Sequence, residues 1–344
     1  MNRFVAIDLG ARRLQVVVQD GDGAVLINAN VEARLDAVLD LMRRHGALNA
    51  RVAIEAGFGW YWLADGLQDA GADVRLVHPA ACAAITTAKV KTDKRDAVIL
   101  CNLLRAGILS EAYLYPRAGR ALRDLVRERH RVVVARSGEL RRMRAILYRQ
   151  GFTTHDLADV HAMTSSTLGR FFPNEHLRAQ ADLILERIDF YGQQETAIEA
   201  DLLRAAGDRP EYDLLMSVPG IGKALAIVIL TELGDIQRFR TMEGFCSYCR
   251  VAPGIAQSGN STRGSRASKA GNQHLKRAFH QAAVAACTHY EPWKAWRTKL
   301  KARSGGRGAT LKSTNAVSHR LARITFHLLR RRVPYSEELA RIAS

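Results

Sequence analysis

The sequence predicts a mixed α/β domain followed by a mainly helical region. Short apolar strand patterns alternate with helix patterns near the N-terminus, and long stretches with helical spacing of apolar residues follow without a clear strand pattern. The boundaries that we predict are 1–112 for the α/β domain, 113–206 for a helical coiled-coil segment and 207–344 for a mainly helical C-terminal domain.

The α/β region begins with three strand patterns separated by turns that contain glycine. A helix, a strand, a helix, a short strand and two further helices follow. In chain order these elements span 3–9, 14–19, 24–29, 33–45, 51–56, 60–70, 73–77, 79–88 and 93–104. Three strands, a helix, a strand and then alternation is the order of a ribonuclease-H-like domain, although many α/β folds share parts of it.

A heptad pattern predicts a long coiled-coil helix between residues 117 and 150. One seam position carries Val126, Val133, Leu140 and Leu147, and its companion carries Leu122, Arg129, Arg136 and Met143. A second long helix is marked by Ile184, Ile188, Tyr191, Ile198 and Leu202. We expect the two helices to form a hairpin arm or a dimerisation element, with a solvated helical linker as the alternative.

The chain is strongly basic, with 51 Lys and Arg against 34 Asp and Glu and a formal net charge of +17. Such an excess attracts polyanions, usually nucleic acid, although a proteome that is basic throughout would give the same balance. Residues 258–312 contain twelve Lys or Arg and one acid, which favours contact with phosphates. No signal peptide or membrane-spanning run is visible, so we expect a cytoplasmic bacterial protein that associates with the nucleoid when active.

Four carboxylates stand out by their positions. Asp8 and Glu55 each end an apolar strand, and Asp93 and Asp96 lie three residues apart near a helix start. If the two strands are neighbours, their carboxylates project from the same edge of the sheet. Four converging carboxylates repel unless they hold divalent cations, and a pair of Mg²⁺ ions can promote phosphodiester cleavage. The alternatives are helix capping by Asp93 and Asp96 and a turn at Asp8.

A glycine-containing turn at 217–224 precedes an apolar helix, which indicates a helix-hairpin-helix motif. Its backbone N–H groups would face a DNA phosphate at the helix N-terminus, and a plain turn between two helices is the alternative. The phosphate-binding residues predicted in this turn are Pro219, Gly220, Gly222 and Lys223. Further nucleic-acid contacts are predicted downstream at Arg263, Arg266, Lys269, Lys276 and Arg277.

Ser258 lies beside glycine in a basic, flexible loop and is a candidate nucleophile towards phosphorus, although a Ser-Gly pair in a loop is usually only a turn. Cys246 and Cys249 have the spacing of metal ligands. No second Cys or His pair stands at a suitable distance, so we expect these two cysteines to pack in a core. The five cysteines are scattered and odd in number, unlike a disulfide framework.

Five sequence blocks together resemble the DEDD-type, Piv-like insertion-sequence transposases, the family of bridge-RNA-guided serine recombinases, over nearly the whole chain. The blocks are AIDLG at 6–10, VAIEA at 52–56, KTDKRDA at 91–97, VPGIG at 218–222, and QSGN with SKAGN at 257–260 and 268–272. The chain departs from the family pattern after Glu55, where it reads Ala-Gly-Phe-Gly, and at Cys246 and Cys249, where small apolar residues are commoner.

The resemblance implies a RuvC-like N-terminal domain with a two-ion Mg²⁺ site, whose ligands are Asp8, Glu55, Asp93 and Asp96. It implies a C-terminal serine that attacks DNA and forms a covalent phosphoserine link. By motif position this serine is Ser258, and the nearby alternatives are Ser261, Ser265 and Ser268. The resemblance also implies a composite active site, assembly into a dimer or tetramer, and a structured guide RNA that pairs with element-end and target DNA.

These observations predict a transposase or site-specific DNA recombinase, and two other functions stay open. A RuvC-like endonuclease would hydrolyse DNA with water and form no bond between protein and DNA. A non-catalytic nucleic-acid-binding protein is disfavoured, because all four carboxylates are present and such a protein has no need of them together. Replacement of Ser258 by alanine separates the recombinase from the nuclease.

Overall fold

The computed structural model describes residues 2–57, 59–78, 93–152, 163–252, 256–258, 261–263 and 270–338. The chain divides into two compact units, Met1–Ala118 and Gly119–Ser344. The first unit ends close to the predicted end of the α/β domain. The further boundary predicted at residue 206 stays a prediction. Over the described ranges, no helix has the length and apolar character needed to cross a membrane.

The first unit is a six-stranded mixed sheet with helices on both faces. Its strands are β1 (Phe4–Leu9), β2 (Arg13–Gln19), β3 (Val25–Glu32), β4 (Arg51–Glu55), β5 (Asp73–Val77) and β6 (Glu111–Ala112). Its helices are α1 (Leu35–Arg44), α2 (Tyr61–Asp69) and α3 (Asp93–Ala106). The strand order is β3-β2-β1-β4-β5-β6. β4 is parallel to β1 and β5, and the other neighbouring strands are antiparallel, an arrangement consistent with a ribonuclease-H-like domain.

Side chains along β1 alternate between two cores. Val5 and Ile7 pack with α1 and α2 on one face of the sheet. Phe4 and Ala6 pack with α3 on the other face. Because both faces are covered, β1 is apolar in both directions and has a continuous apolar sequence, as expected of a central strand with a parallel neighbour.

The predicted elements of this unit agree with the structure apart from small shifts at their ends. The largest extension is in β3, which runs to Glu32 rather than ending at residue 29. The two-residue strand β6 is missing from the prediction, since a strand that short leaves no periodic pattern. The helix predicted at 79–88 lies outside the described residues.

The second unit contains nearly all of the first long helix and the helices that follow it. The helices are α4 (Arg117–Arg149), α5 (Ser165–Phe171), α6 (Glu175–Ala206), α7 (Pro210–Met216), α8 (Lys223–Leu233), α9 (Met242–Tyr248), α10 (Gln273–His289), α11 (Glu291–Ser304) and α12 (Ala309–Arg331). A short antiparallel hairpin is formed by β7 (Ala256–Ser258) and β8 (Ser261–Arg263). Helix α12 starts at Ala309, earlier than the predicted start at 315.

Helices α4 and α6 run antiparallel, and the polar positions of the predicted seam lie between them. Arg129 donates hydrogen bonds to Glu199 at 2.7 Å and to Glu195 at 3.0 Å. Arg136, one heptad further along α4, donates to Glu195 at 3.3 Å. Paired charges of this kind help to fix the register of two helices. The two helices therefore form a hairpin within one chain, and their predicted part in oligomer assembly stays a prediction.

Candidate active site

Asp8 and Glu55 lie at the ends of adjacent strands. Strands β1 and β4 are parallel and in register, with Ile7 opposite Ile54, so the next two residues along the strands are Asp8 and Glu55. Both residues are half-buried. The sequence-based expectation that these two carboxylates share one edge of the sheet agrees with this register.

The two carboxylates also share one face of the sheet. Side chains alternate along a strand, so Asp8 lies on the same face as Ala6, and Glu55 lies on the same face as Ala53. Both alanines pack in the core that α3 covers. Asp8 and Glu55 therefore lie on the α3 face, just beyond the apolar core beneath that helix.

Helix α3 runs from this edge of the sheet towards the start of β1. Near the middle of the helix, the thiol of Cys101 donates to the carbonyl oxygen of Phe4 at 3.4 Å. Nearer its N-terminus, the carbonyl oxygen of Lys94 accepts a hydrogen bond at 3.2 Å from Asn28, which lies level with Ala6 across β2. The first turn of α3 therefore lies further towards the end of β1 than the rest of the helix.

The remaining two predicted carboxylate positions belong to that first turn. Helix α3 begins at Asp93, and Asp96 follows three residues later with a half-buried side chain. The side chain of Asp93 lies outside the described part. Among the side chains that are described, no three from His, Cys, Asp and Glu form a group able to hold a metal ion. The donors themselves suit Mg²⁺, because hard divalent cations prefer carboxylate oxygens.

Ser258 is the last residue of β7, and it pairs across the hairpin with Ser261, the first residue of β8. The backbone at the candidate nucleophile is therefore a strand end in a two-stranded hairpin, where the sequence led us to expect a flexible loop. Only Gly259 and Asn260 separate the two strands in the sequence. The alternative serines at 265 and 268 lie outside the described residues.

The β7–β8 hairpin lies in the sequence between the end of α9 and Gly271. The backbone N–H of Asn272 donates to the carbonyl oxygen of Tyr248 at 2.6 Å, which joins the chain before the hairpin to the chain after it. Gly271 has a φ of +98°, and a Cβ at this position would lie 2.5 Å from the same carbonyl oxygen. Only glycine fits here, because a side chain would collide with backbone and φ lies in the left-handed region.

Beneath this junction lies a buried ionic cluster that the sequence analysis missed. Glu232, on α8, has no solvent-exposed surface. Its carboxylate accepts hydrogen bonds from Arg127 at 2.6 and 3.0 Å, from Arg123 at 3.0 Å and from the side-chain amide of Asn272 at 2.8 Å. A signal for it was present, since Glu232 is the only charged residue in the mostly apolar second half of α8.

The arginines keep the Glu232 carboxylate ionised. Burial by itself would raise the pKa, but the hydrogen bond from Arg127 and the charges of Arg123 and Arg127 outweigh burial and bring the pKa of Glu232 to about 2. Beside this cluster, burial lowers the pKa of His274 to about 4, against the opposing effect of the Glu232 charge. At neutral pH the cluster therefore contains an ionised glutamate beside a neutral histidine.

The predicted helix-hairpin-helix turn lies between α7 and α8, and its two glycines have different surroundings. Gly220 has a φ of +86°, and a Cβ there would lie 2.2 Å from the carbonyl oxygen of Ala282 in α10. Gly222 and Lys223 are exposed at the start of α8. Pro219 is buried. Gly220 and Pro219 therefore have a packing role. Phosphate contact by this turn stays a prediction, and Gly222 and Lys223 are its exposed residues.

We expect Gly220→Ala to lower the free energy of unfolding by roughly 2–4 kcal/mol, through backbone strain and overlap with α10. Gly222→Ala, in the same turn, meets no atom within 4 Å and has a negative φ. It should cost less than about 1 kcal/mol. Chemical denaturation of both variants measures the difference. Equal losses of stability would contradict the assignment of Gly220 to packing.

The structure describes the side chains of only some of the basic residues predicted downstream of this turn. Arg277 is exposed on α10 and contacts His130 at 2.6 Å, and Lys276 is half-buried. Arg263 belongs to β8, and its side chain lies outside the described part. Arg266 and Lys269 lie outside the described residues. Nucleic-acid contact by these residues stays a prediction.

Cys246 and Cys249 lie in the core of the second unit, as expected. Both are free and buried, and both pack in the main apolar cluster of this unit. Burial raises the pKa of Cys246 to about 12 and raises the pKa of Cys249 well above its usual value. Protonated thiols are poor metal ligands, which agrees with a packing role.

Two family models match the chain. One, described as the transposase IS116/IS110/IS902 family, matches residues 212–298, and the other, a transposase model of the IS110 DEDD type, matches residues 5–150. The range 5–150 includes the four predicted carboxylate positions. The range 212–298 includes Ser258, Glu232 and Asn272.

Two curated relatives illustrate the extent of similarity. The transposase for insertion sequence element IS1328 of Yersinia enterocolitica is 24% identical over 288 residues, which is 81% of this chain and 82% of that protein. An uncharacterized 43.6 kDa protein of insertion element IS110 from Streptomyces coelicolor is 36% identical over 100 residues. That second match spans 29% of this chain and 24% of the relative.

Proposed function

Because the chain belongs to the IS110 family of DEDD transposases, we propose that it cleaves and rejoins DNA strands with two groups of residues. The first is a divalent-metal site formed by Asp8, Glu55, Asp93 and Asp96. The second is the hydroxyl of Ser258, which acts as the nucleophile. The substrates are the ends of the mobile element and the target DNA.

The observation that carries this proposal is the parallel register of β1 and β4. It makes Asp8 and Glu55 neighbours on one face and one edge of the sheet. Two carboxylates at neighbouring positions repel, and this arrangement is difficult to explain by packing alone. A divalent cation bound there would supply positive charge to the reacting phosphate.

The chemistry proposed for Ser258 conserves the energy of the phosphodiester. Its Oγ forms a bond to phosphorus while the bond from phosphorus to one DNA oxygen breaks. The serine proton ends on the released DNA hydroxyl, and the other DNA end stays attached to the protein as a phosphoserine ester. A hydroxyl of a second DNA end then attacks this ester, which joins the strands and frees the serine.

The basic surfaces of the chain hold the phosphate backbones. Gly222 and Lys223 lie exposed at the N-terminus of α8, and Arg277 is exposed on α10. Contacts of this type position a nucleic acid without reading its bases. A structured guide RNA would then select the DNA by base pairing, and the chain would act as a dimer or tetramer. The net charge of +17 supports binding of this much nucleic acid.

The test is a search for a covalent bond between protein and DNA. Labelled element-end DNA is incubated with Mg²⁺, RNA from the flanking sequence and protein, and the products are separated on a denaturing gel. We expect the label to migrate with wild-type protein and to be lost in Ser258→Ala. Ser261→Ala is the matched control, because Ser261 pairs with Ser258 across the same hairpin and should retain the covalent product.

The other outcomes each identify a different mechanism. Loss of the covalent product in Ser261→Ala, with retention in Ser258→Ala, would identify Ser261 on β8 as the nucleophile. Cleavage without protein-linked label, unchanged in Ser258→Ala, would contradict the serine mechanism and favour a RuvC-like nuclease that uses water.

A further inference from the structure

Asn272, which follows the β7–β8 hairpin in the sequence, joins three helices of the second unit. Its backbone N–H donates to the carbonyl oxygen of Tyr248, the last residue of α9. Its side-chain oxygen accepts hydrogen bonds from the backbone N–H groups of His274 and Leu275, which caps α10. Its side-chain nitrogen donates to Glu232 on α8.

This combination of bonds requires asparagine. Serine or aspartate can cap a helix, since the cap needs only an acceptor oxygen. An ionised aspartate has no proton to donate, and serine has a single oxygen in place of the separate oxygen and nitrogen that Asn272 uses for the cap and for Glu232. With 7% of its surface exposed, Asn272 uses both ends of its amide within the protein. The residue therefore both caps α10 and links this helix to Glu232 on α8.

Glu232 is in turn held in place from a fourth helix. Arg123 and Arg127 of α4 bind its carboxylate, and their side chains are 12% and 29% exposed. An ionised carboxylate with no exposed surface needs such partners, because leaving it unpaired would cost several kcal/mol. The position of Asn272 is thus set by charged groups whose rearrangement would cost free energy.

We propose that Asn272, held by the Glu232–Arg123–Arg127 cluster, is a positioning residue for the β7–β8 hairpin. The inference rests on the proposed function, because the hairpin matters as the carrier of Ser258. Through Asn272, the cluster holds the chain that follows the hairpin against the end of α9, which limits the positions that Ser258 can adopt. A displacement of about 1 Å in a reacting group can cost on the order of 10²-fold in rate.

The test compares Asn272→Ser with Asn174→Ser. Asn174 caps α6 with the same pattern of bonds, to the backbone N–H groups of His176 and Leu177. Within the described ranges, no carboxylate accepts a hydrogen bond from its side-chain amide. Serine preserves both caps, so the difference in stability between the two variants should be that of the bond to Glu232, about 1–3 kcal/mol. Only Asn272→Ser removes the bond to Glu232.

Two readouts are measured on full-length protein. Single-turnover formation of the covalent DNA product should fall about 10²-fold in Asn272→Ser, with DNA affinity unchanged and Asn174→Ser at the wild-type rate. Backbone hydrogen–deuterium exchange in peptides that cover 251–271 should rise in Asn272→Ser alone. Arg127→Lys is the second variant, for use if Asn272→Ser does not fold. It keeps the charge beside Glu232 with fewer hydrogen bonds, and it should change the rate and the exchange in the same direction by a smaller amount.

The outcomes separate this proposal from the proposed function. Equal rates and equal exchange in Asn272→Ser and Asn174→Ser would overturn the positioning role. Faster exchange in Asn272→Ser without any serine-linked product, even from wild type, would support the structural role of the cluster and refute the serine mechanism. A lower rate with unchanged exchange would also overturn the proposal, because the hairpin would not have moved.

Discussion

Asp8→Asn and Glu55→Gln are each expected to reduce DNA cleavage by roughly 10³-fold or more. Each replaces a carboxylate by an amide of nearly the same shape, which lowers the charge available to hold a divalent cation. Metal-derived stabilisation of the transition state is worth several kcal/mol, and about 1.4 kcal/mol corresponds to a tenfold change in rate. Single-turnover cleavage of element-end DNA at fixed Mg²⁺ measures the loss.

Glu32→Gln is the matched control for these variants. Glu32 ends β3, which runs in the same direction as β1, so it lies at the same edge of the sheet with an exposed side chain. We expect its cleavage rate to stay close to wild type. Thermal unfolding of all three proteins should be similar, since Asp8 and Glu55 lie at strand ends. Wild-type rates in Asp8→Asn would refute the metal site.

Glu232→Ala is expected to lower the free energy of unfolding by about 3–5 kcal/mol, because it removes the buried carboxylate to which Arg123 and Arg127 donate hydrogen bonds. Glu128→Ala is the comparison on α4, where Glu128 pairs with Arg131 at the surface. An exposed pair contributes at most about 1 kcal/mol. Urea denaturation of both variants distinguishes the buried cluster from a surface ion pair, and similar losses would contradict the prediction.

The same cluster predicts a dependence of stability on pH. The Glu232 pKa is about 2 in the folded chain, below the usual 4.5, so the folded state binds this proton less readily than the unfolded state. Its contribution is therefore complete above pH 4.5 and is lost as the pH falls towards 2. The stability difference between wild type and Glu232→Gln should narrow over that range. A constant difference would show that charge has no part in the cluster.

Sequence patterns were sufficient for features set by local spacing. The apolar runs of β1 and β4 predicted that Asp8 and Glu55 each end a strand. That the two strands are neighbours was only a condition of the prediction, and the parallel pairing of β1 and β4 meets it. The heptad pattern predicted the long helix α4. The pattern alone does not explain the polar seam positions Arg129 and Arg136. Both donate hydrogen bonds to Glu195 on the antiparallel helix α6.

Features that depend on contacts between residues distant in sequence were missed. Glu232 and Asn272 are 40 residues apart in sequence, and no local pattern predicts their hydrogen bond. Likewise, no sequence pattern indicated that the backbone of Gly220 packs against Ala282 of α10, and its predicted phosphate contact stays a prediction. In both cases the information lies in tertiary packing, which a sequence window does not contain.

The register of β1 and β4 also limits how this chain can change in length during evolution. Loss or gain of one residue inside β1 ahead of Asp8 would turn its carboxylate to the opposite face of the sheet, into the core packed with α1 and α2. The exposed turn at Gly21 and Asp22 can change length without altering the β1–β4 pair. Insertions and deletions in related chains should therefore collect in such turns and be absent between Phe4 and Asp8.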